Sequence, residues 1–489
     1  MVLIGSVDTA AVHVELRRKE VEDDPEHFHQ YEVDAEGRLK RLFWADADGR
    51  LSSVRHSDSV VVIDTVLRTN RYGAAFVPII GMNHHRRPVL LGCGVLADQS
   101  PGSNVWLLRA FMMSTGQERP KSVITDGGGS VVHAVDTVLP QCNHRICSCH
   151  LEQGIREHLG GYSAQVGFRS LMLEENCSPV EFEERWHTFV ASHKTVSNQE
   201  WLCRMYMTRE LWAAAFVCDK FFFGLARDQS TECLCLSSGM RTPYPQDMTL
   251  LALLRRADFS GIDMRAQEAE LDEEADKSRV ELITEHKYLE EDAARSFTPA
   301  NFAIVLEEIE ALDGFKIVDT LSSSSGDKVY TLDRHGDLFN VLQSDDRADR
   351  DGVIFKCSCR KMERDGLPCR HILHVLRHER ASTIPKCCKL DGCCGGVTQG
   401  ARGSARWTRW GGRCSTWRRG TPRSLRRSRG SCKTGCRRGE ATLTLGPCVF
   451  LSSPYTLRPC LLPDTPTDPH NFLGCEKSCI VERKEYVTD

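Results

Sequence analysis

The sequence predicts an α/β protein: a mixed sheet with helices packed on it, then a helical insertion, then a small module rich in cysteine and histidine. Three observations predict it. Apolar runs of strand length follow one another between residues 59 and 97 and then alternate with helical periods up to about residue 150, the signature of helices laid on a partly parallel sheet. From about residue 170 to 312 the pattern is mainly helical. Finally, "FKCSCRKMERDGLPCRHILHVLRH" (355–378) gathers three cysteines and three histidines into a few turns of chain.

Taken in order, "YEVDAEGRLKRLFWAD" (31–46) reads as a hairpin-like lead around Glu36-Gly37. Val60–Ile63 within "SVVVIDTVLRT" is an uninterrupted β-branched run and predicts a buried strand. "AAFVPIIGMNHH" (74–85) and "RPVLLGCGVLA" (87–97) predict two more strands, with a turn over 83–88. In "SNVWLLRAFMMSTG" (103–116), Val105, Leu108 and Met112 fall at helical spacing, with Ser103 as N-cap and Gly116 as the stop. "KSVITD" (121–126) predicts a strand, "SVVHAVDTVL" (130–139) a helix, and "HRICSC" (144–149) a further strand leading into a helix. "TPANFAIVLEEIEAL" (298–312) predicts a helix capped by Thr298 with Pro299 in its first turn; its Phe302, Val305, Leu306 and Ile309 stripe reads as core packing. "DGFKIVDT", "KVYTL" and "DLFNVL" (313–342) predict short strands ahead of the cysteine cluster. The organisation expected is a lead segment (1–55), an α/β domain (56–235), a helical segment (236–312), a zinc module (313–385) and a basic, Cys- and Trp-rich disordered tail (386–489).

A chain of 489 residues, 41% hydrophobic, can bury more than one core. Its net charge of −4 hides an asymmetry: residues 401–440 carry +12, leaving −16 on the rest. That tail has no apolar period to bury and is predicted to be disordered. Its arginines interleaved with Trp407, Trp410 and Trp417 suit nucleic acid phosphates and bases; the abrupt, unpatterned shift in composition favours the plainer reading of a misread exon or shifted frame without selected function. No run reaches the roughly 18 apolar residues of a membrane helix, and the N-terminus makes a poor signal peptide. The expectation is a soluble intracellular protein, with no membrane partner and with its 23 cysteines reduced, some as metal ligands.

Asp64 closes the "VVVI" run and Asp126 closes "SVIT". If those strands are neighbours, the two carboxylates project from one edge and, with a third acid, suit two Mg2+ or Mn2+ ions. On position alone the pair fits ordinary surface aspartates just as well. Cys357 and Cys359 are two apart and would share one face of a strand, while Pro368 starts a helix with Cys369 and His371 in its first turn. Three thiolates and one imidazole make a closed structural zinc site with no position left for chemistry. His374 and His378 are rival ligands, or else polar residues on that helix. Cys147 and His150 could share a zinc, but two ligands alone make no site, and a buried cysteine also serves a core.

The stretch from "DTVLRTNRYGAAFVPIIGMNHHRRPVLLGCGVLADQS" through "PKSVITDGGGSVVHAVDTVLPQCNHRICSCHLEQGI" closely resembles the transposase-derived domain of the plant FAR-RED IMPAIRED RESPONSE family, which descends from Mutator-like transposases. The resemblance runs from about residue 25 to about residue 385. It implies a ribonuclease-H-like fold, with Asp64 and Asp126 as the first two ancestral acids. Glu232 in "DQSTECLCLSS" stands for the late glutamate. The neighbours have drifted: Val66 and Leu67 replace the family's usual Thr-Tyr pair after Asp64, three glycines that loosen the chain follow Asp126, and Cys233 and Cys235 follow Glu232. Cys147 and His150 match the family's Cys-x-x-His element, and Cys357, Cys359, Cys369 and His371 match its SWIM-type zinc finger. Residues 1–63 hold no cysteine, so the Cys- and His-rich DNA-binding domain that usually begins the family has no counterpart in them. The resemblance implies a zinc-binding nuclear regulator of transcription with idle acids, whose partners are DNA, weakly or indirectly, and other regulators. The alternative is an active metal-dependent transposase that cuts and joins DNA.

Overall fold

The computed structural model describes residues 4–55, 60–67, 70–174, 177–225, 247–277, 280–324, 326–345, 352–381 and 383–389. Helix α1 (Ser6–Arg18) precedes strands β1 (Phe28–Val33) and β2 (Leu39–Ala45). Helix α2 (Ala47–Arg55) leads to β3 (Val60–Ile63), β4 (Ala75–Met82) and β5 (Pro88–Leu96). Then come α3 (Pro101–Ser114), β6 (Ser122–Thr125), α4 (Gly129–Val138), β7 (Asn143–Ile146) and α5 (Ser148–His158). Strand order is β1-β2-β5-β4-β3-β6-β7. The first five positions pair antiparallel; β3, β6 and β7 run parallel. This is the mixed α/β sheet the sequence predicts.

Alternation along the strands explains why both faces are covered. Val61 and Ile63 point into one core, with Phe43, Leu107 and Phe111, under α3 and α4. Val60 and Val62 point into the other, with Trp44, Phe76 and Ile124. A strand buried on both faces reads as a continuous apolar run, which is why β3 to β5 were legible.

Beyond the sheet, α6 (Tyr162–Leu173), α7 (Pro179–His193), α8 (Gln199–Met207) and α9 (Ala214–Val217) form an aromatic cluster of their own around Phe168, Trp186, Trp201 and Trp212. The 28-residue α10 (Leu250–Lys277) lies on the second face of the sheet. It is followed by α11 (Lys287–Ser296), α12 (Pro299–Glu310) and a four-stranded antiparallel sheet: β8 (Lys316–Ser322), β9 (Lys328–Arg334), β10 (Asp337–Asp345) and β11 (Val353–Cys357). Two helices close the module, α13 (Lys361–Asp365) and α14 (Arg370–His378). One continuous core runs from Val62 and Leu254 through Val305 and Ile309 to Tyr330, Phe355 and Ile372. The cysteine-rich module therefore shares its packing with the sheet domain.

Several local expectations differ from what is observed. Helix α3 begins earlier than expected, because Pro101 takes its first position and Ser100, not Ser103, accepts the capping bond, from the Ser103 N–H at 3.2 Å. Thr298 stands at the start of α12, yet its hydroxyl donates to the His84 carbonyl at 2.7 Å. Strand β7 stops at Ile146, and Cys147 is the N-cap of α5. Strand β11 stops at Cys357, so Cys359 lies in the following turn, whose next residue, Arg360, is left-handed at φ 53°. The helix expected from Pro368 starts at Arg370 with Cys369 as its N-cap. Of the tail expected to be disordered from residue 386, residues 386–389 are described, with Cys388 buried in the main core, and the rest lies outside the described residues.

Candidate functional site

Two candidate sites stand on these elements. In the first, Cys357 arrives at the end of β11 and Cys359 from the turn beyond it, while Cys369 and His371 are presented by the start of α14. Their four ligand atoms lie within 4.8 Å of one another. The Cys357 Sγ is 3.5 Å from the His371 Nδ1. The imidazole is fixed by stacking on Phe339 at 3.9 Å between centroids and by the edge of Phe315 at 4.9 Å. Burial keeps water away from the cluster; Cys369 and Cys357 are 1% and 4% exposed.

Crowding sets the charge. Hydrogen bonds from Cys357 and Cys369 hold the Cys359 thiol well below its usual range. The hydrogen bond with Cys359, followed by burial and the charge of Cys359, pushes Cys357 up to about 12, and burial followed by the two neighbouring thiols raises Cys369 far above the ordinary value. Three thiols this close share one negative charge unless a cation joins them. A divalent ion with a taste for sulfur lets all three ionise. The donor set, three sulfurs and one nitrogen in a closed arrangement, fits zinc in a structural role.

His374, a rival on sequence, turns its Nδ1 to the Leu312 carbonyl at 3.3 Å, and His378 packs edge-on against Tyr330. A residue missed by sequence reasoning holds the ligand helix. Buried Glu308, on α12, accepts from the Arg370 backbone N–H at 2.8 Å and from its guanidinium at 2.8 and 3.0 Å. Burial raises its pKa, but those bonds and Lys361 more than offset this, and the net shift is downward. A carboxylate at a helix N-terminus is favourable, and the residue this one holds, Arg370, stands between the candidate ligands Cys369 and His371 in the chain. It lies 62 residues away in the chain, so no local pattern announces it.

The second site lies at the carboxyl edge of the main sheet. Parallel pairing of Ile63 with Thr125 sets Asp64 and Asp126 side by side, one residue past each strand. Asp126 Oδ2 accepts from the Thr65 N–H at 2.7 Å and its hydroxyl at 2.6 Å, and its Oδ1 accepts from the Gly128 N–H at 2.7 Å. Asp64, 1% exposed, accepts from the Val66 N–H at 2.9 Å. Its Oδ2 lies 3.7 Å from the His150 Nε2. The structure thus brings the Cys-x-x-His element to the acids. Burial lowers the His150 pKa, but the Cys147 hydrogen bond and the Asp64 charge outweigh it and raise the value to about 9. Cys147 is lowered in turn, burial being outweighed by the bond and charge of His150. Gly127 is not slack chain: its φ is +83°, and a Cβ there would come within 2.9 Å of the Ile146 side chain. Glu232 lies outside the described residues. Among the described residues, groups of three or more metal-ligating side chains come together at two places, and Asp64 and Asp126 belong to neither. No helix among them is long and apolar enough to cross a membrane.

Comparison with known proteins follows the same division. Residues 60–154 match the MULE transposase domain, and residues 340–379 match the SWIM zinc finger. Among curated proteins of Arabidopsis thaliana, the chain is 26% identical over 364 residues to Protein FAR1-RELATED SEQUENCE 7, covering 72% of this chain and 45% of that protein. It is 26% identical over 373 residues to Protein FAR-RED IMPAIRED RESPONSE 1, covering 74% and 43%. Over a shorter span of 230 residues it is 32% identical to Protein FAR1-RELATED SEQUENCE 6, covering 46% and 32%. The chain spans less than half the length of each of these relatives.

Proposed function

We propose that this chain, which belongs to the FAR-RED IMPAIRED RESPONSE-related family and carries a MULE transposase domain followed by a SWIM zinc finger, works as a zinc-binding regulator of transcription in the nucleus and does not cut DNA. Zinc held by Cys357, Cys359, Cys369 and His371 supplies folding energy and no reaction step, since all four positions are taken by protein. The module so fixed is the surface for DNA or for other regulators.

One observation carries the idle reading: the carboxylates of the acid pair are already partnered by the protein itself. Asp126 uses both oxygens on backbone donors, and a histidine with a pKa of about 9 stands 3.7 Å from Asp64. Two-metal chemistry needs carboxylates that present oxygen to cations. A protonated imidazole beside Asp64 repels such an ion.

The second reading, an active metal-dependent transposase, draws support from the register that keeps Asp64 and Asp126 adjacent. Incubation of the full chain with Mn2+ and labelled duplex DNA separates the two. The expected result is no strand transfer and no cleavage. Cleavage by the wild type that vanishes in Asp64→Asn overturns the regulator reading in favour of the enzyme.

A further inference from the structure

We propose that the tip of the β4–β5 hairpin and the C-terminal part of α10 form a second metal site, in which His84, His85 and Asp272 bind a divalent transition metal of the zinc class. The hairpin turn builds half of it. The Asn83 side-chain oxygen accepts the N–H groups of His85 at 3.0 Å and Arg87 at 2.9 Å, and Arg86 turns left-handed at φ 58°. This tight turn throws two consecutive histidines to the same side, with ring centroids 4.3 Å apart. Each Nε2 lies 2.8 Å from the same Asp272 Oδ1. The three ligand atoms fall within 4.8 Å of one another.

Two features mark it as a built site. The His84 carbonyl accepts from the Thr298 hydroxyl at 2.7 Å and the Asn301 amide at 3.0 Å, so α12 fixes the turn that carries the imidazoles. Glu268, one turn before Asp272 on α10, brings its Oε1 to 3.6 Å from the His84 Nδ1. A ligating imidazole is regularly oriented by a carboxylate on its second nitrogen, and Glu268 occupies that position.

The donor set selects the ion. Two imidazole nitrogens and one carboxylate suit zinc and its neighbours, whereas Mg2+ and Ca2+ want oxygen throughout. The His85 side chain is 4% exposed and Asp272 55% exposed, so the site opens on the carboxylate side, giving the metal a way in and leaving room for water as a fourth ligand. Its ligands come from the sheet and from a helix 187 residues later. Bound metal therefore clips α10 to the sheet, a tie separate from the SWIM cysteines.

The test is cobalt titration of the metal-free full chain, comparing wild type with Asp272→Ala and Glu268→Ala. Thiolate sites give intense sulfur-to-cobalt charge-transfer bands; a site of nitrogen and oxygen gives only weak ligand-field bands. Asp272→Ala should take up one equivalent fewer than wild type, with a difference spectrum free of thiolate bands. Retained thiolate bands in that variant report an intact fold. Glu268→Ala keeps all three ligands and should retain the equivalent with about 10- to 100-fold weaker affinity. Equal uptake by wild type and Asp272→Ala overturns the site and leaves a hydrogen-bonded His-Asp-His cluster that needs no metal. A difference spectrum dominated by thiolate bands overturns it as well.

Discussion

The SWIM cluster and the acid pair treat the same problem, crowded ionisable groups, in opposite ways. At the SWIM site, four ligand atoms converge within 4.8 Å, and the thiols can relieve one another only by sharing a cation. At the sheet edge, Asp64 and Asp126 are relieved by the protein itself, through Thr65, Gly128 and His150. The first arrangement fits an ion, with three sulfurs and one nitrogen around one position. The second has an internal counter-charge and stands without one. On the proposed reading, a zinc-dependent module and an acid pair with its own counter-charge share one chain.

The largest effect that separates them is loss of a SWIM ligand. Cys369→Ser in the full chain should remove one equivalent of zinc and lower the melting temperature more than any change at the acids. Structural zinc sites contribute on the order of 10 kcal/mol in favourable cases. Because Cys357 and Cys369 share a continuous core with Val62, Leu254 and Val305, the loss should spread beyond the module. Chelator should reproduce it in the wild type. A variant that keeps its zinc, or melts unchanged without it, would break the contrast from the SWIM side.

How much of this was legible beforehand follows from distance along the chain. Strands β3 to β7 announced themselves because each is a local run, and Cys357, Cys359, Cys369 and His371 because all four fall within 15 residues. Cys359 lies in a turn rather than on the strand because β11 ends at Cys357 and Arg360 is left-handed, which a two-residue spacing does not reveal. Asp64 and Asp126 were readable as strand ends; what they touch was not. His150 reaches Asp64 across 86 residues and Glu308 reaches Arg370 across 62, and neither pairing leaves a period or spacing in the sequence. The glycines after Asp126 misled for a related reason. Gly127 looks like flexibility and is instead the residue that fits beside Ile146.

A smaller effect concerns pH. The His150 pKa is raised from 6.5 to about 9 in the fold, so its stabilisation is fully present below pH 6.5 and is lost as pH rises through about 9. The size is on the order of 3 kcal/mol by linkage. His144, pushed down to about 4 by burial and then by Lys220, works at the other end: its neutral form is required, and stability falls as pH drops from 6.5 toward 4. NMR titration of the imidazole signals reads both directly. Asp64→Asn should bring the His150 value down toward 6.5 and flatten the alkaline limb of the stability curve. An unshifted His150 in wild type would remove the internal counter-charge from the comparison.

The smallest effect is the sharpest test of the acid pair: the response of the melting temperature to Mg2+. Asp64 and Asp126 together fit a hard cation in charge and in oxygen chemistry. Protonated His150 opposes it, standing 3.7 Å from one of the two carboxylates. Binding at pH 7 should then be weak. A cation present at its own dissociation constant adds RT ln 2, about 0.4 kcal/mol, which is about 1 °C for a unit of this size. Asp126→Asn should abolish that gain. The cation and the proton on His150 exclude one another, so the gain should grow as pH approaches 9 and in His150→Gln at neutral pH. A rise of many degrees at pH 7 in the wild type, lost in Asp126→Asn and unchanged in His150→Gln, would mean that the acids bind metal on their own terms. The sheet edge would then join the SWIM centre as a metal-dependent site, and the transposase reading would gain the support that the idle reading loses.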